Sequence, residues 1–234
     1  MQSTKSQAYR LSPRLQAIAG LVPVCRRILD IGTDHAWLPV ELIRSGRCQE
    51  GLAIDIRPGP LAIAARNIQG SGLAGQVKTS LNDGLQGIGI NPDDVIVVAG
   101  LGGYETMRVL GEEPRRCQAI ILQPMKSLPE LRIWLGQHGY AIDNESLVLE
   151  PKHAYIILSC HYTGENMEFD RLSALVGPCL LQKWTPELLI YLRRLLPRLA
   201  RQKRGDPELV PVISQIEKIA AELEASQIDL PGGC

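Results

Sequence analysis

Asp34, Asp55 and Asp83 each stand just past a short apolar run, in LDIGTDHAWLP, GLAIDI and TSLNDGL. In an open α/β sheet, ligands bind beyond the carboxyl ends of the strands, so acids at these places are candidate ligand contacts. Gly32 permits a tight turn and close backbone approach, while Asp34 and His35 enter the same loop. A single turn glycine beside acidic groups suits a cofactor with an amino-acid-like cationic end. Asp55 is placed to accept both hydroxyls of an unphosphorylated ribose. Asp83 can accept from an exocyclic adenine amine, with Asn82 and Gly84 shaping a turn that leaves room for the ring. In VVAGLGG, the glycines Gly100, Gly102 and Gly103 open a slot where backbone groups can approach a transferring group and a flat base. Tyr104 follows them and can stack on that base.

Positioning these residues takes a sheet and the helices that cover it. The runs CRRILDI (25–31), GLAIDI (51–56), QVKTSL (76–81), DVIVVAG (94–100) and AIILQP (119–124) alternate with helix-like stretches. Near-continuous Val, Ile and Leu marks strands buried on both faces, and the βαβ rhythm predicts a doubly wound α/β domain with a mostly parallel sheet. Segments around 140–149 and 153–162, joined by a short connection, predict an antiparallel hairpin at the end of that sheet. Ser12 and Pro13 start an opening helix that carries Leu15, Ile18, Ala19 and Val22. In SLPELRIWLGQHG, Ser127 is expected to cap, with Pro129 in the first turn and Glu130 completing a capping box, and Gly139 to stop the helix.

From about residue 165 the pattern becomes helical. Thr185-Pro186-Glu187 starts one helix, and Gly205-Asp206-Pro207-Glu208 breaks it and starts another. Leu188, Leu192, Leu195, Leu196 and Leu199 share one face, and Leu209, Val212, Ile216, Ile219 and Leu223 form a matching seam. Arg193, Arg194, Arg198, Arg201 and Arg204 fall in a separate arc of about 140°. The result is an antiparallel helical hairpin with a basic outer face, its first helix kinked at Pro197. Lys5, Arg10, Arg14, Arg26 and Arg27, with no acid before Asp30, make a second basic patch.

The 234 residues are 45% hydrophobic and carry 25 basic and 25 acidic side chains, enough for a proper core and too balanced for a uniformly basic nucleic-acid binder. Local patches can still bind phosphates. No apolar run is long enough to span a membrane, and MQSTKSQAYR holds no apolar leader segment. Six cysteines lie far apart without metal-ligand spacing, which predicts free thiols and no metal. One phenylalanine and 4% aromatic residues argue against a broad base-stacking platform. Neither GxGxxG nor a phosphate loop occurs, which disfavours a nicotinamide-dependent oxidoreductase.

LSPRL, DIGTDHAWLP, NDGL, VVAGLGG, ILQP, LRIWL-x-x-HGY and LVGPCLL stand in the order and spacing of the bacterial tRNA (adenine-22-N1)-methyltransferase family, which the chain resembles from about residue 11 to its end. The resemblance implies a class I methyltransferase fold over 1–162 and a C-terminal coiled-coil-like RNA-binding domain over 163–234. It also implies S-adenosylmethionine as cofactor, S-adenosylhomocysteine as product, and tRNA as substrate of a cytoplasmic monomer without membrane association. By position, the cofactor pocket comprises Gly32, Asp34, His35, Asp55, Asn82, Asp83, Gly84, Gly100 and Leu101. The expected catalytic set is Asp34, His35, Gly102 and Tyr104. Asp34 would serve either the methionine ammonium or the developing adeninium, and His35 would orient Asp34 or touch the base. The RNA contacts would come from Arg10, Arg14, Arg193, Arg194, Arg198, Arg201 and Arg204. Met125 stands where the family has Asn in LQPN, and Leu101 where Met is usual. A thioether lacks the paired donor and acceptor of an amide, so the second reading is a cofactor- and RNA-binding module without turnover.

Overall fold

The computed structural model describes residues 10–228. Helix α1 (Pro13–Leu21) precedes β1 (Cys25–Ile31), α2 (Trp37–Arg44), β2 (Cys48–Asp55), α3 (Pro58–Gly70), β3 (Val77–Leu81), β4 (Asp94–Ala99), α4 (Gly103–Leu110) and β5 (Ala119–Gln123). Then come α5 (Leu128–Gln137), β6 (Tyr140–Leu149), β7 (Ala154–Tyr162), α6 (Arg171–Val176), α7 (Pro186–Gln202) and α8 (Leu209–Ile228).

The seven strands form one sheet in the order β3-β2-β1-β4-β5-β7-β6. The first five are parallel, and β7 pairs antiparallel with both β5 and β6. The reversal follows from chain length. A parallel strand needs a crossover of a dozen or more residues, and the turn between Leu149 and Ala154 is far shorter. In the sheet centre Leu29 lies beside Leu52 on one side and Ile96 on the other, and all of β4 from Val95 to Val98 is fully buried. Between β1 and β4 the order reverses, which opens the crevice that positions the site. At the other end of β1, the register sets Cys25 beside Cys48, and their buried thiols hydrogen-bond at 2.8 Å.

Ser12 caps α1, its hydroxyl accepting from the Leu15 N–H at 3.4 Å, and Thr185 caps α7 through Leu188 at 3.2 Å. Ser127 does not cap α5. It takes a left-handed conformation, φ 56°, and no side chain caps that helix. The cause lies far away in sequence: the Lys126 carbonyl accepts from the Gly103 N–H, and the Ser127 carbonyl sits where a Cβ on Gly103 would be. The tertiary contact overrides the local capping signal.

Helices α7 and α8 pack along the seam of Leu188, Leu192, Leu195 and Leu199 against Leu209, Val212, Ile216 and Leu223. Helix α7 runs on through Pro197. The same apolar cluster continues into the sheet through Ile96, Ile120 and Leu122. Beside it, Arg132 on α5 and Glu145 on β6 are both fully buried and paired at 2.7 Å. Arg132 also donates to the Ala174 and Val176 carbonyls at the end of α6, and Glu145 accepts from the Cys179 and Leu180 N–H groups. Gly177 has φ 126°, and a Cβ there would stand 2.3 Å from Glu145. The LVGPCLL segment is thus the seat of a buried ion pair whose remaining donors and acceptors are satisfied by backbone.

Candidate active site

The ends of β1 and β4 and the start of α1 enclose a cleft of about 310 Å³ lined by Asp30, Gly32, Asp34, His35, Trp37, Ala99 and Arg14. After β1 the chain turns at Gly32, φ 75°, and the N–H groups of Gly32 and Thr33 both donate to the Ile54 carbonyl, at 2.8 and 3.0 Å. That pair of hydrogen bonds fixes the loop against β2. The turn ends at Ala36, also left-handed, whose N–H donates to the Thr33 hydroxyl at 3.1 Å before α2 begins.

Asp30 points into this cleft at 8% exposure. Burial pushes its carboxyl up to about 6, and a hydrogen bond from Thr33 opposes the shift. A buried carboxylate raised this far gains most from a neighbouring cation. Asp34 and His35 are exposed at the rim, with Asp34 Oδ2 and His35 Nδ1 2.8 Å apart. The Asn67 amide donates to the His35 carbonyl at 2.9 Å, so α3 helps hold the rim.

Asp55 closes β2 at 5% exposure. Its Oδ1 accepts from the Arg57 N–H at 2.7 Å, which orients the carboxylate at the strand end. In the next loop the Asn82 amide donates to the Gly84 and Gln86 carbonyls, at 3.0 and 2.9 Å, and so builds the turn. Gly84 has φ 61° and packs under Val109. Both Asp83 oxygens accept from Arg108 on α4, at 2.7 and 3.0 Å, and this guanidinium holds the carboxyl below its usual range. Each carboxylate oxygen has a second lone pair, so the pair with Arg108 leaves room for one more donor.

The loop after β4 is laced to the loop after β5. Gly100 donates to the Gln123 carbonyl, Met125 to that of Leu101, and Gly103 to that of Lys126, at 3.0, 2.7 and 2.9 Å. The sequence reading gave all three glycines to a ligand slot. The space beside Gly103 is instead filled by the Ser127 carbonyl, and a Cβ on Gly102 would stand 3.0 Å from Lys126. Gly100, φ 82°, faces Arg14, and Leu101 packs over Gly32. Tyr104 opens α4 at 63% exposure.

Arg14, expected on an RNA-facing patch, reaches this place instead. Its Nη1 donates to Gln123 Oε1 at 2.7 Å and lies 4.0 Å from the Met125 sulfur, and its guanidinium sits 5.4 Å over the Tyr155 ring. The buried Gln123 donates through Nε2 to the Pro124 carbonyl and to the same sulfur, at 3.1 and 3.4 Å. The hairpin arginines also divide. Arg193 pairs with Glu224 on α8, and Arg194 donates to the Glu150 and His153 carbonyls. Arg198, Arg201, Arg204 and Arg10 have no ion pair among the described residues.

Residues 11–158 match the family profile described as a methyltransferase domain. Over 194 residues the chain is 31% identical to the tRNA (adenine(22)-N(1))-methyltransferase of Bacillus subtilis, covering 76% of this chain and 82% of that protein. The chain belongs to the tRNA (adenine(22)-N(1))-methyltransferase family. The fold of this methyltransferase matches that of the Streptococcus pneumoniae protein Sp1610 in complex with S-adenosyl-L-methionine, with a TM-score of 0.80 and 29% identity over 90% of this chain and all of that one, 100%. It also matches M. capricolum TrmK in complex with S-adenosyl-homocysteine, with a TM-score of 0.76 and 27% identity over 92% of this chain and 99% of that one.

The residues of this methyltransferase fit such a cofactor. The cleft lies at the switch in strand order, its walls carry Asp30 and Asp34 for a cationic end, and the buried Asp55 stands one strand away for a ribose. Sequence reasoning missed Asp30 and Gln123 as site residues, and named Arg14 only as an RNA contact. Asp30 reads as one letter of an apolar strand, and only its place at the strand's last turn toward the cleft could have flagged it.

Proposed function

We propose that the chain transfers a methyl group to N1 of adenine 22 in tRNA, with Asp30, Gly32, Asp34, Asp55 and the Asp83–Gly84 turn holding the cofactor. The observation that carries the reading is the acid-walled cleft at the switch point, whose wall residue Arg14 bonds Gln123 on the loop laced to the glycine loop of β4. S-adenosylmethionine supplies an electrophilic methyl group when bound there and leaves as S-adenosylhomocysteine.

Adenine N1 has an in-plane lone pair, so no residue must remove a proton before attack, and the product base is a cation. The protein's work is alignment and stabilisation of positive charge, and good alignment alone supplies roughly 7–11 kcal/mol. Asp34, held by His35, is the carboxylate we assign to that charge, at the cofactor ammonium or at the adeninium. Gly102 and Tyr104 border the place of the base, where the exposed Tyr104 ring is free to stack. N1 lies on the Watson–Crick edge, so a paired adenine must be turned out to reach this slot.

We assign residues 1–162 to methyl transfer and 163–234 to gripping RNA, with Arg10, Arg198, Arg201 and Arg204 as the exposed phosphate contacts and Arg193 and Arg194 supporting them. We also assign a monomer, and a tRNA substrate favours the cytoplasm. Among the described residues, no helix is long and apolar enough to cross a membrane. Incubating purified protein with unmodified tRNA and methyl-labelled cofactor, then analysing nucleosides by mass spectrometry, tests the reading. Labelled 1-methyladenosine at position 22 is expected, and unlabelled tRNA overturns it.

A further inference from the structure

Met125, whose sulfur approaches Arg14 at the cleft, also lines a second cavity of about 260 Å³ that shares no residue with the cofactor cleft. Its walls come from four places in the chain: the loop from Pro124 to Pro129, the turn into β7 with the start of that strand, Leu175 on α6, and one side of α7. Lys126, Lys152, Arg194 and Arg198 line it, and no carboxylate does. Four cations around so small a space repel one another unless an anion joins them.

The cations are also placed. Arg194 donates from Nη1 to the Glu150 and His153 carbonyls, at 3.0 and 3.2 Å, which ties α7 to the turn that carries Lys152. Lys126 is fixed at its backbone by the bond from Gly103. The amino end of α5 forms part of the wall through Ser127, Leu128 and Pro129, and no side chain caps it, so its partial positive charge adds to theirs.

We propose that this cavity binds a phosphodiester of the substrate RNA next to the target nucleotide, holding the backbone while the base enters the slot past Met125. The inference rests on the reading of tRNA as substrate and names the side chains that take its backbone. Lys126, Lys152 and Arg198 contact the phosphate, and Arg194 positions the turn.

The test is tRNA affinity measured across a salt series for wild type, K126A/K152A, R198A, and the control K78A on the far edge strand β3. The double variant should weaken binding about tenfold or more and flatten the slope of log affinity against log salt by about 1.5 to 2, and R198A by about half that. K78A should match wild type. S-adenosylhomocysteine affinity, unchanged in every variant, reports that the fold is intact. A slope equal to wild type in both cavity variants overturns the proposal. Methyl transfer by the wild type is scored separately. If it fails while the slopes shift, the proposed reaction falls and the phosphate site stands, and if it succeeds with unshifted slopes, only the phosphate site falls.

Discussion

Arg14 Nη1 donates to Gln123 Oε1 at 2.7 Å, joining the first turn of α1 to the end of β5 across 109 residues of chain. Arg14 also lines the cofactor cleft, so the bond ties the cleft wall to the end of β5. Through Gln123 it fixes the position of Met125, whose sulfur receives the Gln123 amide at 3.4 Å. The opening helix is therefore part of the active site and not an appendage to it.

Arg14→Ala should lower kcat/KM for tRNA methylation by about 10- to 100-fold, the loss of a charge-assisted bond to a buried partner that is then unsatisfied. Arg14→Lys should recover only part of it, since an ammonium cannot both bond Gln123 and lie flat over Tyr155. Single-turnover methylation with each variant checks this.

Met125→Asn should raise kcat/KM for tRNA about fivefold, the worth of roughly one added hydrogen bond to the target base, and leave cofactor affinity unchanged. Steady-state kinetics beside calorimetric binding of S-adenosylhomocysteine decide it. A variant no faster than wild type would mean that the thioether already serves.

Asp55→Ala should weaken S-adenosylhomocysteine binding by about 10- to 100-fold, because a buried carboxylate at a ribose makes charged hydrogen bonds worth about 1.5–3 kcal/mol in all. Calorimetry at pH 7.5 reads the change directly. Undiminished affinity would remove the ribose assignment.

Burial pushes the Asp30 carboxyl up to about 6. A cationic ligand favours its ionised form, so binding releases a proton wherever Asp30 is protonated, and cofactor affinity should rise up to tenfold per pH unit below 6 and level off above it. The raised value also means that the folded state holds this proton more tightly than the unfolded chain, so its contribution to stability falls as pH rises from about 4 to 6. Asp30→Asn should accordingly raise the apo Tm at pH 8 by on the order of 5 °C, while weakening cofactor binding. Thermal denaturation with and without S-adenosylhomocysteine measures both signs.

Arg132→Met should destabilise the fold by about 3–5 kcal/mol, since it strands the Glu145 carboxylate in the interior. The double variant Arg132→Met with Glu145→Leu should recover much of that loss. Chemical denaturation of the three proteins checks the cycle.

The central strands were legible because short runs such as VIVVA are buried on both faces, and β6 and β7 because only a short connection joins them. Gly32 and Asp55 were legible because the turn and the acid fall at strand ends, where a nucleoside would sit. Other residues needed the third dimension. Asp30 is hidden inside LDI, and its burial and perturbed titration exist only once β1 ends at the cleft. Arg14 showed its charge but not its partner, and charge alone pointed to RNA. Ser127 carried a complete capping signal that the contact with Gly103 overrode. Arg193 looked unopposed because Glu224 lies on the next helix, across a turn that spacing does not measure.

The apolar cluster that runs without a break from Ile96 and Leu122 to Leu192 and Ile216 gives the molecule a fixed span. An arginine arm on a flexible tether could hold many RNA shapes at many distances from the slot. With a common interior, the gap between arm and slot is set when the chain folds, and the enzyme works like a caliper. With the arm gripping RNA as proposed, an adenine is accepted by how far it lies from the held phosphates, so a target can be chosen by geometry where no base is read.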